Sequence, residues 1–143
     1  ELVKKFPDQI VGVKDSSYNL FEKLNLKNFS ILPGSELKLL KGLQQGCSGI
    51  ITATCNVTAS ISRKVYDDFF LEKEQVYNKK LCNIRSAFDK YNLISGLHTF
   101  YSQENKIYKN ILPPLSLLNE ADEKNLLKTL KDLNFSNKSP MAA

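Results

Sequence analysis

Short runs that are apolar on both faces alternate with helix-period stripes up to about residue 56, and helix-period stripes alone fill the remainder of the chain. Residues 10–13, Ile-Val-Gly-Val, predict a buried strand of a parallel sheet, because neither face of the extended chain is polar. Residues 1–6 read as the end of a helix stopped by Pro7-Asp8. After the first strand, Ser16 or Ser17 can cap a short helix through about residue 26, with Phe21 and Leu24 inward. Residues 29–32 read as a second strand, followed by Pro33-Gly34-Ser35. A helix over 36–45 has Leu37, Leu40 and Leu43 as its apolar stripe and Gly46 as its stop. Residues 49–54 read as a third strand. Strands and helices alternating at such short intervals argue for an α/β fold, a parallel sheet with right-handed crossovers.

Past Asn56 the pattern is helical. Helices are expected over 60–70, over 72–91 with Tyr77, Leu81, Ile84, Phe88 and Tyr91 at helical spacing, and over 96–110 with Leu97, Phe100, Tyr101 and Ile107 inward. Pro113-Pro114 breaks the pattern. Asn119 can cap a last helix that packs through Leu126, Leu127, Leu130 and Leu133. Residues 136–143 form a polar tail, expected to be disordered. Three parallel strands bury both faces only if helices cover one side and further strands or a barrel interior occupy the other. The chain supplies too few strands to close a barrel. Two layouts meet this demand: a small open α/β sheet, or the second part of a (β/α)8 barrel.

Composition narrows the function classes. The 143 residues are 42% hydrophobic and 24% charged, as in ordinary globular proteins. No apolar stretch is long enough to span a bilayer, and the start, ELVKKFPDQ, lacks a signal-peptide core. The first residue is Glu1 rather than Met, as expected of a fragment. The net charge is +5, but the lysines are scattered among apolar residues and only Arg63 and Arg85 are arginines, which argues against a nucleic-acid partner. Cys47, Cys55 and Cys82 are odd in number and form no CxxC pair, which suits reduced thiols in a cytosolic protein; Cys47 and Cys55 read as buried packing residues. His98 is the only histidine, and no further ligands stand at zinc spacing, so no metal site is expected.

Three strand ends carry the candidate chemistry: Lys14, then Gly34-Ser35-Glu36, then Thr52-Ala53-Thr54-Cys55-Asn56. Parallel α/β folds bind ligands at the carboxyl ends of their strands, and all three clusters fall on that edge. A lysine buried there loses ammonium hydration, so its pKa falls, and the neutral amine can attack a ketone to form a Schiff base. Strand position alone favours a solvated or ion-paired lysine beside Asp15. Gly34 permits a ligand close to the backbone, or a positive φ. Glu36 can accept hydrogen bonds from substrate hydroxyls, or serve as a first-turn carboxylate complementing the helix dipole. Gly49-Ile50-Ile51 brings a backbone carbonyl or amide to the same edge, or is plain sheet core.

The segments IVGVKDSS, ILPGSE and GCSGIITATCNVTA, in this order and spacing, resemble the dihydrodipicolinate synthase/N-acetylneuraminate lyase family, as does the closing stretch ILPPLSLL before an acidic helix start. The similarity spans most of residues 9–133. These are pyruvate-handling class I aldolases on a (β/α)8 TIM barrel. The resemblance implies the C-terminal part of such a barrel (strands six to eight) over residues 1–58, the last barrel helix and a C-terminal helical bundle over 59–135, and a tail over 136–143. It implies that Lys14 is the Schiff-base lysine, which reverses the balance left by strand position. It places Gly34, Ser35 and Glu36 at the substrate's distal end, and the backbone of Ile51 against bound pyruvate. No cofactor is implied beyond the covalent Schiff base on the lysine, and the partners are pyruvate and an aldehyde or keto-sugar acid. A cytoplasmic homo-oligomer of the full-length chain is implied as well.

The family's threonine/serine pair for the pyruvate carboxylate and its proton-relay tyrosine lie on earlier strands and are not in these residues, so the chain alone is expected not to turn over substrate. The strand-eight stretch looks most like dihydrodipicolinate synthases, which join pyruvate and aspartate semialdehyde in lysine biosynthesis. The region LISGLHTFYSQENKIYKN departs from their proline-rich segment. Glu36 is followed by Leu37 where N-acetylneuraminate lyases often carry an acidic pair, and VKDSS with PGSE also resembles 2-keto-3-deoxy sugar acid aldolases. Two readings of other kinds remain: a non-catalytic α/β module binding a partner or an anion at the strand-end edge, and a catalytically dead paralogue serving as a structural subunit.

Overall fold

A computed structural model of the chain describes residues 1–17 and 19–136. It opens with a single helical turn, α1 (Leu2–Lys5), where a helix end was expected. Two strands come next, β1 (Gly12–Asp15) and β2 (Ser30–Pro33), paired in parallel with Gly12 opposite Ser30 and Asp15 opposite Pro33. Gly12 is required by that pairing. A Cβ there would lie 2.8 Å from the Ser30 carbonyl oxygen, closer than two such atoms can pack.

The third expected strand, 49–54, does not join the ladder. The Ser48 N–H donates to Ile31 O at 3.2 Å and the Ile51 N–H to Pro33 O at 3.1 Å. Three residues of this segment therefore run against two of β2, a bulge that breaks the regular register. Gly49 supplies the bend with φ of 144°, a conformation closed to side chains. The segment still lies along β2, so three strand ends remain side by side.

The helix expected after Ser16 or Ser17 shrinks to one 3₁₀ turn, Leu20–Glu22. Neither serine caps it. Asp15 does so from the strand end: Oδ1 accepts from the Ser17 N–H and hydroxyl at 2.8 and 2.6 Å, and Oδ2 from the Leu20 N–H at 2.8 Å. Phe21 is buried as expected. The next helix begins with a 3₁₀ turn, Glu36–Lys38, capped by Ser35 Oγ, and continues as α2 (Leu39–Gln44). The tighter first turn rotates the face, so Leu39 and Leu43 are buried while Leu37, expected inward, is 43% exposed.

α3 (Cys55–Phe70) starts before its expected position, because the Thr52 hydroxyl accepts from the Cys55 N–H at 3.1 Å and opens the helix early. It ends where Glu72 adopts a φ of 53° and the Lys73 N–H closes on Asp68 O at 2.8 Å. That stop separates it from α4 (Asn78–Phe88), shorter than the 72–91 helix expected. α5 (Leu93–Ser102) is capped by Asn92, and the chain then makes a separate 3₁₀ turn, Lys106–Lys109, that leaves Ile107 63% exposed rather than inward. α6 (Glu120–Asp132) is capped by Asn119 Oδ1, which accepts from the Asp122 N–H at 2.9 Å, as the sequence predicts.

Apolar packing falls into three clusters. Phe21, Ile31 and Cys47 seal the helix-covered face of the strands. Leu39, Leu43, Val65 and Leu81 join α2, α3 and α4. Ile84, Phe88, Leu97, Phe100, Leu126, Leu130 and Phe135 form the core among α4, α5 and α6. Residues 137–143, most of the expected tail, lie outside the described residues. No helix among the described residues is long and apolar enough to cross a membrane.

Candidate active site

β1 alternates its side chains between the two faces of the sheet. Val13 packs toward Phe21, Ile31 and Cys47, so Lys14 projects to the opposite face. There it is exposed, and its Nζ donates to Ser16 Oγ at 2.7 Å. The burial expected of a Schiff-base lysine is not supplied by the described residues. β1 pairs on one side only, and no described element covers the face to which Lys14 points.

Asp15, next along, is 5% exposed and turned inward. It organises the loop after Lys14 rather than acting only as a charge beside it. Its carbonyl accepts the Gly34 N–H at 2.9 Å, which fastens the loop after β2 to the end of β1. Gly34 is buried, and Ser35, 3% exposed, spends its hydroxyl on the Leu37 N–H. Ile51 is 51% exposed at the same edge, its backbone N–H tied to Pro33. Lys14, Gly34, Ser35 and Ile51 thus come together on the carboxyl edge, although they lie far apart in the chain.

Glu36 behaves otherwise. It is fully buried, and both carboxylate oxygens are occupied. Oε1 accepts from the Thr52 hydroxyl at 2.6 Å and the Thr58 hydroxyl at 3.1 Å, and Oε2 from Arg85 Nη1 at 3.0 Å. A carboxylate so placed is no free acceptor for substrate hydroxyls. Burial would push its pKa up, but the hydroxyl and backbone hydrogen bonds and Arg85 outweigh that and hold it below the ordinary carboxylate range. Arg85, also buried, remains charged: burial opposes the charge, while Asp89 and Glu36 more than restore it. Thr54 and Thr58 complete a polar cluster beneath the edge, the single Thr58 hydroxyl proton being shared between Glu36 Oε1 and Thr54 O, which lies at 3.0 Å.

Nothing in the sequence pattern signals this cluster. Arg85 falls there within the expected 72–91 helix but outside its apolar stripe, and its partner is 49 positions away. The threonines carry β-propensity and read as a strand end. The remaining candidates behave as packing or surface groups. Burial pushes the thiols of Cys47, Cys55 and Cys82 up, away from nucleophilic thiolates. His98 lies in α5 with Nδ1 2.9 Å from the Tyr108 carbonyl. Among the described residues no cluster of His, Cys, Asp and Glu could hold a metal.

No curated protein matches the chain. Solved structures do. Dihydrodipicolinate synthase from Aquifex aeolicus matches with a TM-score of 0.78 at 18% identity, over 96% of this chain and 50% of that one. The 4-hydroxy-tetrahydrodipicolinate synthase of Methylacidiphilum fumariolicum matches with a TM-score of 0.77 at 22% identity, over 93% and 47%. A dihydrodipicolinate synthase from Bacillus anthracis matches with a TM-score of 0.75 at 17% identity, over 91% and 48%. At such identities the likeness is one of fold, and the chain spans about half the length of these proteins. The model of the dihydrodipicolinate synthetase family matches residues 1–133, the strand-end edge and the helices alike, and the chain belongs to that family.

Proposed function

We propose that this chain carries the Schiff-base lysine of a pyruvate-dependent class I aldolase, dihydrodipicolinate synthase-like, with Lys14 as the nucleophile. One observation carries the reading: Lys14 stands at the carboxyl end of β1 in a parallel pair, next to Asp15, whose carbonyl holds Gly34, in a chain of this family. β1, β2 and the segment along β2 are read as strands six, seven and eight of a (β/α)8 barrel, with α4 to α6 as the C-terminal bundle.

In this chemistry the Lys14 ammonium first gives up a proton. The neutral Nζ then adds to the pyruvate ketone carbon, and loss of water leaves an iminium that draws electrons from the adjacent methyl carbon. Loss of a methyl proton gives an enamine, which forms a carbon–carbon bond to an aldehyde, and hydrolysis frees the product and the lysine. Gly34 leaves room for substrate against the backbone, and Ser35 and the backbone at Ile51 line the same edge. Glu36 is assigned no contact with substrate. The aldehyde is read as aspartate semialdehyde, after the strand-eight stretch.

Full burial of Lys14 and capture of the pyruvate carboxylate are assigned to barrel walls outside residues 1–143. The 143-residue piece alone is therefore expected to be inactive. The test is borohydride trapping with pyruvate in the full-length protein that carries this chain, read by intact mass and peptide mapping. A pyruvyl adduct on Lys14 that disappears in Lys14→Arg is the expected result. Absence of an adduct overturns the assignment.

A further inference from the structure

The reaction assigned to Lys14 uses neither Arg85 nor Glu36, yet the two form a buried ion pair directly under the ligand edge. Arg85 Nη1 meets three acceptors: Glu36 Oε2 at 3.0 Å, Thr54 Oγ1 at 3.3 Å and Gly34 O at 3.4 Å. Its Nε is held by Asp89 Oδ1 at 2.8 Å, so α4 fixes the guanidinium before it reaches the edge. Arg85 is 3% exposed, and Glu36 and Thr54 are 0% exposed. A pair this deeply buried gains little net stability, because desolvation cancels most of its attraction. What it does supply is geometry: a planar fork imposes direction on every acceptor it touches. Those acceptors belong to the loop after β2 and the loop after the third segment.

We propose that Arg85 is a positioning residue for the keto-acid site, reaching from the helical bundle to hold the Gly34–Glu36 and Thr52–Thr54 loops at the spacing the site requires. The proposal rests on the reading of that edge as the Schiff-base site. It makes α4 part of the working site although α4 contributes no group that touches substrate. Movement of α4 relative to the strands would then change keto-acid binding.

The test compares Arg85→Gln and Arg85→Lys in the full-length protein with Leu130→Ala, which opens the α4–α6 core without touching the cluster. Amide hydrogen exchange is followed at Gly34, Leu37, Ile51 and Cys55, together with the pyruvate concentration that half-saturates borohydride trapping on Lys14. Arg85→Gln is expected to raise exchange at these amides about tenfold above the Leu130→Ala control. It is also expected to raise the half-saturating pyruvate about tenfold, with the trapped fraction at saturation unchanged. Arg85→Lys, which keeps the charge on Glu36 but loses the fork, is expected to fall between, and it carries the comparison alone if Arg85→Gln does not fold. Exchange no faster than in the control, or faster exchange with unchanged half-saturation, overturns the proposal. A wild-type protein that traps no pyruvate overturns the lyase reading instead, and the exchange comparison still decides whether Arg85 holds the loops.

Discussion

The Gly34 N–H donates to the Asp15 carbonyl at 2.9 Å, so the loop after β2 is fastened to the residue that follows Lys14. This bond extends the parallel pairing one step past the strands. It joins two otherwise separate segments into one rim and fixes where Lys14 stands relative to Gly34.

Lys14→Arg should abolish pyruvate trapping and leave stability nearly unchanged. The side chain is exposed, and among the described residues it hydrogen-bonds to Ser16. Surface changes of this kind stay within about 0.5 kcal/mol. Intact-mass trapping in the full-length protein and urea unfolding of residues 1–143, where the side chain is exposed, separate the two effects. A loss of several kcal/mol would mean that Lys14 is structural.

Glu36 should make stability depend on pH at the acid end. Its folded pKa is depressed, so its contribution is fully present above the unfolded carboxylate value of about 4.3 and is lost as pH falls through the lower folded value. Glu36→Gln removes this titration and leaves the buried Arg85 paired with Asp89 but no longer with Glu36, a change expected to destabilise the fold at neutral pH. Urea unfolding across the acid range should show a flatter profile in the variant than in the wild type. Parallel profiles would contradict the assignment.

Gly12→Ala should force β1 and β2 apart. The added Cβ meets the Ser30 carbonyl at 2.8 Å, and backbone, unlike a flexible side chain, cannot move aside cheaply. Overpacking of this kind costs about 1–3 kcal/mol. The change should also speed amide exchange at Ser30 and Gly34. Unchanged stability would show that the strands tolerate a wider spacing.

Asn119→Ala should destabilise α6 by about 1 kcal/mol, because its side chain satisfies the Asp122 N–H at the open helix end. Asn119→Asp should recover only part of that stability: a carboxylate accepts the Asp122 N–H and suits the helix dipole, but it replaces the Nδ2 donor that meets Asp122 Oδ2 at 2.8 Å with a like charge. Thermal unfolding of both variants checks the pair.

Part of this protein was legible from local pattern. The runs around Lys14 and 29–32 could be read as strands because both faces are apolar, and the edge position of Lys14, Gly34 and Ser35 came from parallel topology alone. Leu81, Ile84, Phe88, Leu126 and Leu130 were identifiable as core by their spacing, and all five are buried. The cap at Asn119 was visible because a cap acts over three residues.

What tertiary structure decided depends on partners distant in the chain. A carboxylate after a strand is equally consistent with substrate binding and with burial. Arg85, delivered by a helix 49 residues on, pairs with Glu36 and holds it as a buried ion. The segment at 49–54 carries strand propensity, but the bend at Gly49 and the early opening of α3 at Thr52 override it. Local sequence determined which segments extend or coil, because hydrophobic period and capping act within a few residues. Only the packed chain decided which polar side chains face a ligand and which hold the fold together, because that choice depends on what lies across from them.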